Sequence, residues 1–258
     1  VATYLDRILA AHRTAAAADG RALDPLRRAA QAAPTARGFR AALAGTEGLA
    51  VIAEVKRRSP SKGDLAAGLD PAALARDYAA GGASCLSVLT DREFFGGSPE
   101  DLAQARAACS LPVLRKDFTV CEHDVCDARL MGADCVLLIA AALTPVELAR
   151  FHRLAIEVGL DVLVEIHDER ELDAALAAEA TLIGVNQRDL VTFAVDHERA
   201  VRMAAAIPDS VVKVAESGVR GPDDARSLWN AGYQAVLVGE TLVTAPDPAA
   251  AIRSLRGS

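Results

Sequence analysis

The sequence predicts an α/β fold, a (β/α)8 TIM barrel carrying an N-terminal helical extension. Three observations lead there. The first is that eight short apolar segments recur along the 258 residues. They are VIAEV from Val51, CLSVL from Cys85, PVLRK from Pro112, CVLLI from Cys135, VLVEI from Val162, LIGVN from Leu182, VVKVAE from Val211 and AVLVG from Ala235. Their starts lie roughly 20–34 residues apart, room for a loop, a helix and a loop. Runs this apolar suit parallel strands buried on both faces. The second observation is the start of each intervening helix. Asp70-Pro71, Ser98-Pro99, Thr144-Pro145 and Asp247-Pro248 each set a capping side chain before a first-turn proline. Thr144 with Glu147, and Asp168 with Glu171, have capping-box spacing. The third is the helix ends. Gly82, Gly132, Gly159 and Gly232 sit a few residues before the next apolar segment, where a left-handed C-cap is expected.

Eight strand–helix units in one chain of this length make a closed barrel. The alternative is an open doubly wound sheet, which carries a GxGxxG fingerprint in its first turn. Here that turn reads KRRSPSKG. Residues 1–48 precede the first strand. They are alanine-rich with helical spacing, as in Tyr4, Leu5, Ile8 and Leu9. They are read as a helical extension packed on a barrel of residues 49–258, the whole forming a single domain.

Composition narrows the function classes. Hydrophobic residues make up 52% and charged residues 24%, which fits a globular protein with a sizeable core. The formal net charge of −7 argues against nucleic acid or an acidic membrane as partner. A small anionic ligand in a local cationic pocket remains compatible with it. The N-terminus has no signal-peptide core, and the longest apolar run, Cys135 to Leu143, is about nine residues against the ~20 that span a bilayer. A cytoplasmic protein, monomeric or weakly homo-oligomeric, is expected. Five cysteines without paired spacing argue against a disulfide framework. Cys121, His123 and Cys126 lack a second ligand pair at zinc-like spacing, so no metal is assigned. Cys85 and Cys135 read as small core residues.

The chemistry gathers at the strand ends. In such a barrel the active site lies at the C-terminal face. Strand one ends in Glu54 and Lys56, strand three in Lys116 and Asp117, and strand five in Glu165. Strand six ends in Asn186 and Arg188, strand seven in Glu216 and Ser217, and strand eight in Gly239 and Glu240. Side chains alternate along a strand, so Ile52, Glu54 and Lys56 share a face. So do Leu114 with Lys116, Leu163 with Glu165, Gly184 with Asn186 and Arg188, and Val214 with Glu216. Of 28 basic residues only four are lysines: Lys56, Lys62, Lys116 and Lys213. Lysine differs from arginine in exchanging protons when its surroundings move its pKa. Lys213 has the opposite parity from Glu216 and is read as structural. The loops ESGVRGPDD and VGETL, after strands seven and eight, suit phosphate binding through backbone N–H groups. Lys56 and Ser59 would close that cage.

These residues resemble the indole-3-glycerol phosphate synthase family. The resemblance runs from the N-terminal helices to the last strand. It rests on AEVKRRSPSKG, LTDREFFGGS, LPVLRKDF, ADCVLLIAAAL, LVEIH, GVNQRDL, AESGV and AVLVGE. It implies a phosphorylated small-molecule substrate, 1-(2-carboxyphenylamino)-1-deoxyribulose 5-phosphate, closed to an indole with loss of carbon dioxide and water. It implies no metal or organic cofactor. Lys116 is then the expected general acid and Glu165 the second acid. Glu54 orients Lys116, Lys56 or the substrate hydroxyls. Lys56 and Arg188 face the substrate carboxylate, with Asn186 hydrogen-bonding nearby. Phe95, Phe118, Leu138 and Leu190 match positions lining the aromatic slot. Ser59, Ser217, Gly218, Gly239 and the Glu240 amide match the phosphate site. Glu216 and Leu237 complete the substrate contacts. Gln187 departs from the family pattern, and its parity faces it away from the mouth, with little effect expected. The Glu240 side chain must point away from the phosphate.

Other readings stand beside this one. A related sugar-phosphate barrel, such as phosphoribosylanthranilate isomerase or a Schiff-base aldolase, would share the phosphate loops. A catalytically silent barrel binding a phosphorylated ligand would have lost its proton-transfer groups, yet Lys116, Glu54 and Glu165 are all present.

Overall fold

Three helices precede the first strand in the computed structural model, which describes residues 3–59, 62–189 and 194–257. They are α1 (Tyr4–Ala18), α2 (Leu23–Gln31) and α3 (Phe39–Ala44). Eight strands then stand where the apolar segments lie. They are β1 (Ala50–Val55), β2 (Cys85–Leu89), β3 (Val113–Lys116), β4 (Cys135–Ile139), β5 (Asp161–Ile166), β6 (Leu182–Asn186), β7 (Val212–Glu216) and β8 (Ala235–Val238). Each pairs in parallel with its neighbours in sequence, and β8 closes onto β1. The open-sheet alternative is thereby excluded.

Helices fill the return path after every strand. They are α4 (Pro71–Ala80), α5 (Arg92–Phe95), α6 (Pro99–Ala108), α7 (Glu122–Leu130), α8 (Pro145–Glu157), α9 (Glu169–Ala177), α10 (His197–Ala206), α11 (Pro222–Asn230), α12 (Glu240–Val243) and α13 (Pro248–Arg256). The expected caps form. Asp70 accepts the amides of Ala72 and Ala73, Ser98 that of Asp101, and Asp247 that of Ala250. Thr144 and Glu147 make a full capping box. Asp168 caps α9, but Glu171 does not return to it. Its carboxylate instead takes the amide of His167, at 2.7 Å, one residue earlier. The four helix-ending glycines all adopt positive φ, between 82° at Gly159 and 101° at Gly232.

The strands sort their side chains into two layers. Ile52, Cys85, Leu114, Leu137, Leu163 and Val214 fill the barrel interior. Val51, Leu86, Val136, Val164, Ile183 and Val236 face the helices. Leu138 belongs to this outer layer, contrary to the expectation that it lines the slot. Its neighbours Leu137 and Ile139 point inward in its place. Lys213 is structural as expected: its ammonium donates to the Ala204 carbonyl at 3.0 Å.

The extension is tied to the barrel at the N-terminal ends of the strands. Phe39 and Leu43 of α3 are fully buried in the interior layer and close that end. The buried Asp134 carboxylate accepts the Arg37 amide at 2.8 Å and the Val113 amide at 2.8 Å, and pairs with Arg106. Asp161 accepts the Arg40 amide at 2.8 Å. Emptying the Phe39 position leaves a cavity that the strand ends cannot collapse into. Phe39→Ala is therefore expected to lower unfolding stability by about 3–5 kcal/mol in urea titrations. A loss under about 1 kcal/mol would show that α3 is peripheral.

Candidate active site

The C-terminal strand ends surround a cavity of about 480 Å3. Four side chains set its character. Lys116 at the end of β3 pairs with Glu165 of β5 at 2.8 Å and with Glu216 of β7 at 3.5 Å. Glu54 of β1 lies further round the ring and takes Lys56 at 2.6 Å, with the Ser87 hydroxyl at 3.3 Å on its other oxygen. Glu54, Glu165 and Glu216 are each at least 97% buried. Asn186 of β6 donates to Glu165 Oε1 at 3.0 Å and accepts the Arg188 amide on its own oxygen, also at 3.0 Å.

Burial of so many charges sets their protonation. Burial by itself pulls the Lys116 ammonium down, but Glu165, Glu216 and Glu54 outweigh it and hold it above the ordinary lysine value. Burial pushes Glu165 up, yet Lys116, His167 and Asn186 more than reverse this, and the carboxylate stays ionised. Glu216 goes the other way. Burial, reinforced by the Glu165 and Glu54 charges, lifts it to about 8 against the pull of Lys116. The cluster thus holds a charged amine beside a carboxylic acid that retains its proton near neutrality. Such groups titrate as a set.

Two glycines make room for this arrangement. A Cβ on Gly184 of β6 would overlap the Glu216 carboxylate, and one on Gly239 would overlap that of Glu54. At the far rim, Ser217 and Gly218 both have positive φ, 66° and 75°, which turns the chain sharply after β7. Gly239 and Glu240 open α12 beside them. The Glu240 carboxylate pairs with Lys62 at 3.5 Å, and both residues line the cavity. Ser59 is buried on the same rim, with its oxygen accepting the Lys62 amide at 3.2 Å. Leu237 and Arg188 also line the cavity. Phe95 and Phe118 wall its apolar side with ring centroids 6.3 Å apart. Leu190 lies outside the described residues.

The family model that matches this chain is that of indole-3-glycerol phosphate synthase, over residues 5–255. The chain belongs to the indole-3-glycerol phosphate synthase family. Among curated relatives, indole-3-glycerol phosphate synthase 2 of Streptomyces coelicolor is 55% identical over 88% of both chains. The indole-3-glycerol phosphate synthase of Bordetella pertussis is 49% identical over 95% of both. Among solved structures, thiamine phosphate pyrophosphorylase from Pyrococcus furiosus aligns with a TM-score of 0.62 over 81% of this chain and 94% of that one. At 18% identity, that match speaks for the barrel alone.

Three features of this synthase-family cavity go beyond the reading of the sequence. His12 of α1 places its Nε2 2.8 Å from Asp91 and 3.9 Å from Asp117. Its ring lies 5.6 Å from that of Phe118. Asp91 caps α5, which carries Phe95, and Asp117 accepts the Phe118 amide at 2.8 Å. One histidine of the extension thus braces both aromatic walls. His12, Asp91 and Asp117 also have metal-ligand types within reach of one another. The oxygens of both aspartates are already engaged, by His12, the Phe94, Phe95 and Phe118 amides, Thr90 and Arg115. Cys121, His123 and Cys126 do not converge among the described residues. Gln187 faces away from the cavity, as its parity predicts, yet is fully buried there. It donates to the Ser217 carbonyl at 2.8 Å and meets His197 Nδ1 at 3.0 Å, so it braces the rim loop. The remaining feature is His167, two residues beyond Glu165 on the same side of the strand.

The His12 contact has a testable pH dependence. Burial lowers its pKa, but the hydrogen bond to Asp91 and the charges of Asp117 and Asp91 raise it above 6.5 overall. A raised folded-state pKa contributes stability that is fully present below the unfolded value and lost as pH rises through the folded one. His12→Gln is therefore expected to cost about 1 kcal/mol near pH 6 and distinctly less near pH 9 in urea titrations. A pH-independent cost would mean that the imidazole is bound neutral.

Proposed function

We propose that this cavity closes the indole ring of 1-(2-carboxyphenylamino)-1-deoxyribulose 5-phosphate, releasing carbon dioxide and water to give indole-3-glycerol phosphate. The observation that carries this reading is Lys116, a part-buried ammonium kept charged by three buried carboxylates in a cavity that the Ser217, Gly218, Gly239 and Glu240 loops also line.

The substrate ester would sit on the backbone of Ser217, Gly218, Gly239 and Glu240, with Ser59 opposite. The anthranilate ring would lie between Phe95, Phe118 and Leu237, and its carboxylate would face Lys56 and Arg188. Attack of the ring carbon on the C2′ carbonyl puts negative charge on that oxygen. Lys116 supplies the proton, so a hydroxyl forms as the carbon–carbon bond does. Loss of carbon dioxide returns the electron pair to the ring. The hydroxyl then leaves as water; its proton comes through Glu165, which is ionised at rest and first takes it from the protonated Glu216 hydrogen-bonded to it. Glu216 holds a further proton beside the same lysine and keeps the set supplied. Glu54 orients Lys56 and takes the last proton, and Asn186 fixes the Glu165 carboxylate. A Schiff-base aldolase needs its lysine as a free amine, and the charges around Lys116 oppose that.

Incubation with the carboxyphenylamino-deoxyribulose phosphate, followed by indole fluorescence, tests the assignment. The native chain is expected to produce the signal. Lys116→Ala and Glu165→Gln should each lower kcat by about 10²–10⁴-fold, with far-UV circular dichroism unchanged. Native-like turnover in both variants would refute these roles for the lysine and the glutamate.

A further inference from the structure

Glu165 has a neighbour that none of these steps uses. His167 follows it at the end of β5, on the same side of the strand. Its Nδ1 lies 3.1 Å from Glu171 Oε2, and the same carboxylate oxygen accepts the His167 backbone amide at 2.7 Å. This is why the expected capping box at Asp168 fails: Glu171 is engaged in orienting the imidazole. The other ring nitrogen, Nε2, is buried and has no hydrogen-bond partner. It sits 3.8 Å from Glu165 Oε1. That oxygen also receives Asn186, while Glu165 Oε2 receives Lys116.

We propose that His167 is a positioning residue for Glu165: held as an imidazolium by Glu171, it keeps the Glu165 carboxylate oriented from behind, on the side opposite Lys116. The proposal rests on the ring-closure reading above, and it adds a residue that does not touch the cavity. A neutral imidazole whose Nδ1 proton goes to Glu171 would aim an Nε2 lone pair at a carboxylate. The imidazolium removes that repulsion: Nδ1 donates to Glu171, and the ring's positive charge faces the Glu165 carboxylate at 3.8 Å.

The charged groups facing His167 are Glu165 on its own strand, Glu171 on α9 and Arg199 on α10. Burial and Arg199 disfavour the charged ring, but the two carboxylates outweigh them and the pKa rises above 6.5. The imidazolium is therefore present below that raised value and lost as pH climbs through it. Glu165 then keeps Lys116 and Asn186 but loses its third support.

The test is the pH dependence of kcat and KM for indole-3-glycerol phosphate formation in three proteins. The unaltered chain should show a limb in kcat that falls as pH rises above 6.5, in addition to the fall near pH 8 set by loss of the Glu216 proton. His167→Gln should lack that limb and lose about 10–10²-fold in kcat at pH 6.5, as expected for a misplaced acid. Its KM should stay within about threefold, since the side chain does not reach substrate. Glu171→Gln keeps an acceptor for the His167 amide but removes the charge, and should move the limb to lower pH. A pH profile of His167→Gln identical in shape to that of the unaltered chain, or one of Glu171→Gln with no limb moved, overturns the proposal even if stability falls; the fall set by Glu216 should remain in all three proteins. Absence of product from the unaltered chain would instead remove the ring-closure reading itself.

Discussion

The structure depends on one part-buried ammonium. Lys116 sits among three carboxylates that the fold has taken out of water. Removing such groups from solvent costs several kcal/mol per ion, and mutual attraction offsets this only when geometry and extra hydrogen bonds are right. Here the strands supply both. Glu54, Lys116, Glu165 and Glu216 come from β1, β3, β5 and β7, alternate strands whose inward side chains form one layer. Asn186 and Ser87 satisfy oxygens left over. Glycine at 184 and at 239 leaves the carboxylates space to turn. The outcome is a site with one more acid than it has cations to neutralise, and Glu216 answers this by holding a proton.

The rest of the fold serves that layer. Below it, aliphatic side chains and the plug of Phe39 and Leu43 keep water from the charges' lower side. A low-dielectric floor strengthens every interaction above it. Beyond it, the extension reaches round to the mouth through His12, which braces α5 and the segment after β3. The extension therefore acts at both ends of the barrel. It seals the closed end by packing and stiffens the open end by charge.

Much of this is legible in the residues, for a physical reason. A carboxylate, amine or carboxamide at the end of an apolar strand marks both the strand's direction and its inward parity. Glu54, Lys116, Glu165, Asn186 and Glu216 each carry that mark. CVLLI does not. A strand apolar at every position has no parity signal to check the resemblance that put Leu138 in the slot, and Leu137 and Ile139 are the lining residues. His12 is illegible for another reason. Its partner Asp91 is 79 residues away, and no local spacing joins them. Parity turns Gln187 away from the mouth correctly, but it says nothing of what a side chain meets on the outer side. His167 does have a signal, since it shares parity with Glu165 within LVEIH. The spacing of Asp168 and Glu171 points instead to the wrong side-chain partner.

The central claim is that Lys116 stays protonated because the carboxylates, not burial, control it. The chain has only four lysines, so 13Cε labelling of lysine gives few signals to assign. An NMR titration of the Lys116 signal measures its protonation directly. The expected result is an ammonium that persists above pH 10.5, with its midpoint falling when Glu165 is neutralised as Gln. A Lys116 signal that titrates to the neutral amine between pH 6 and 8 would contradict the claim.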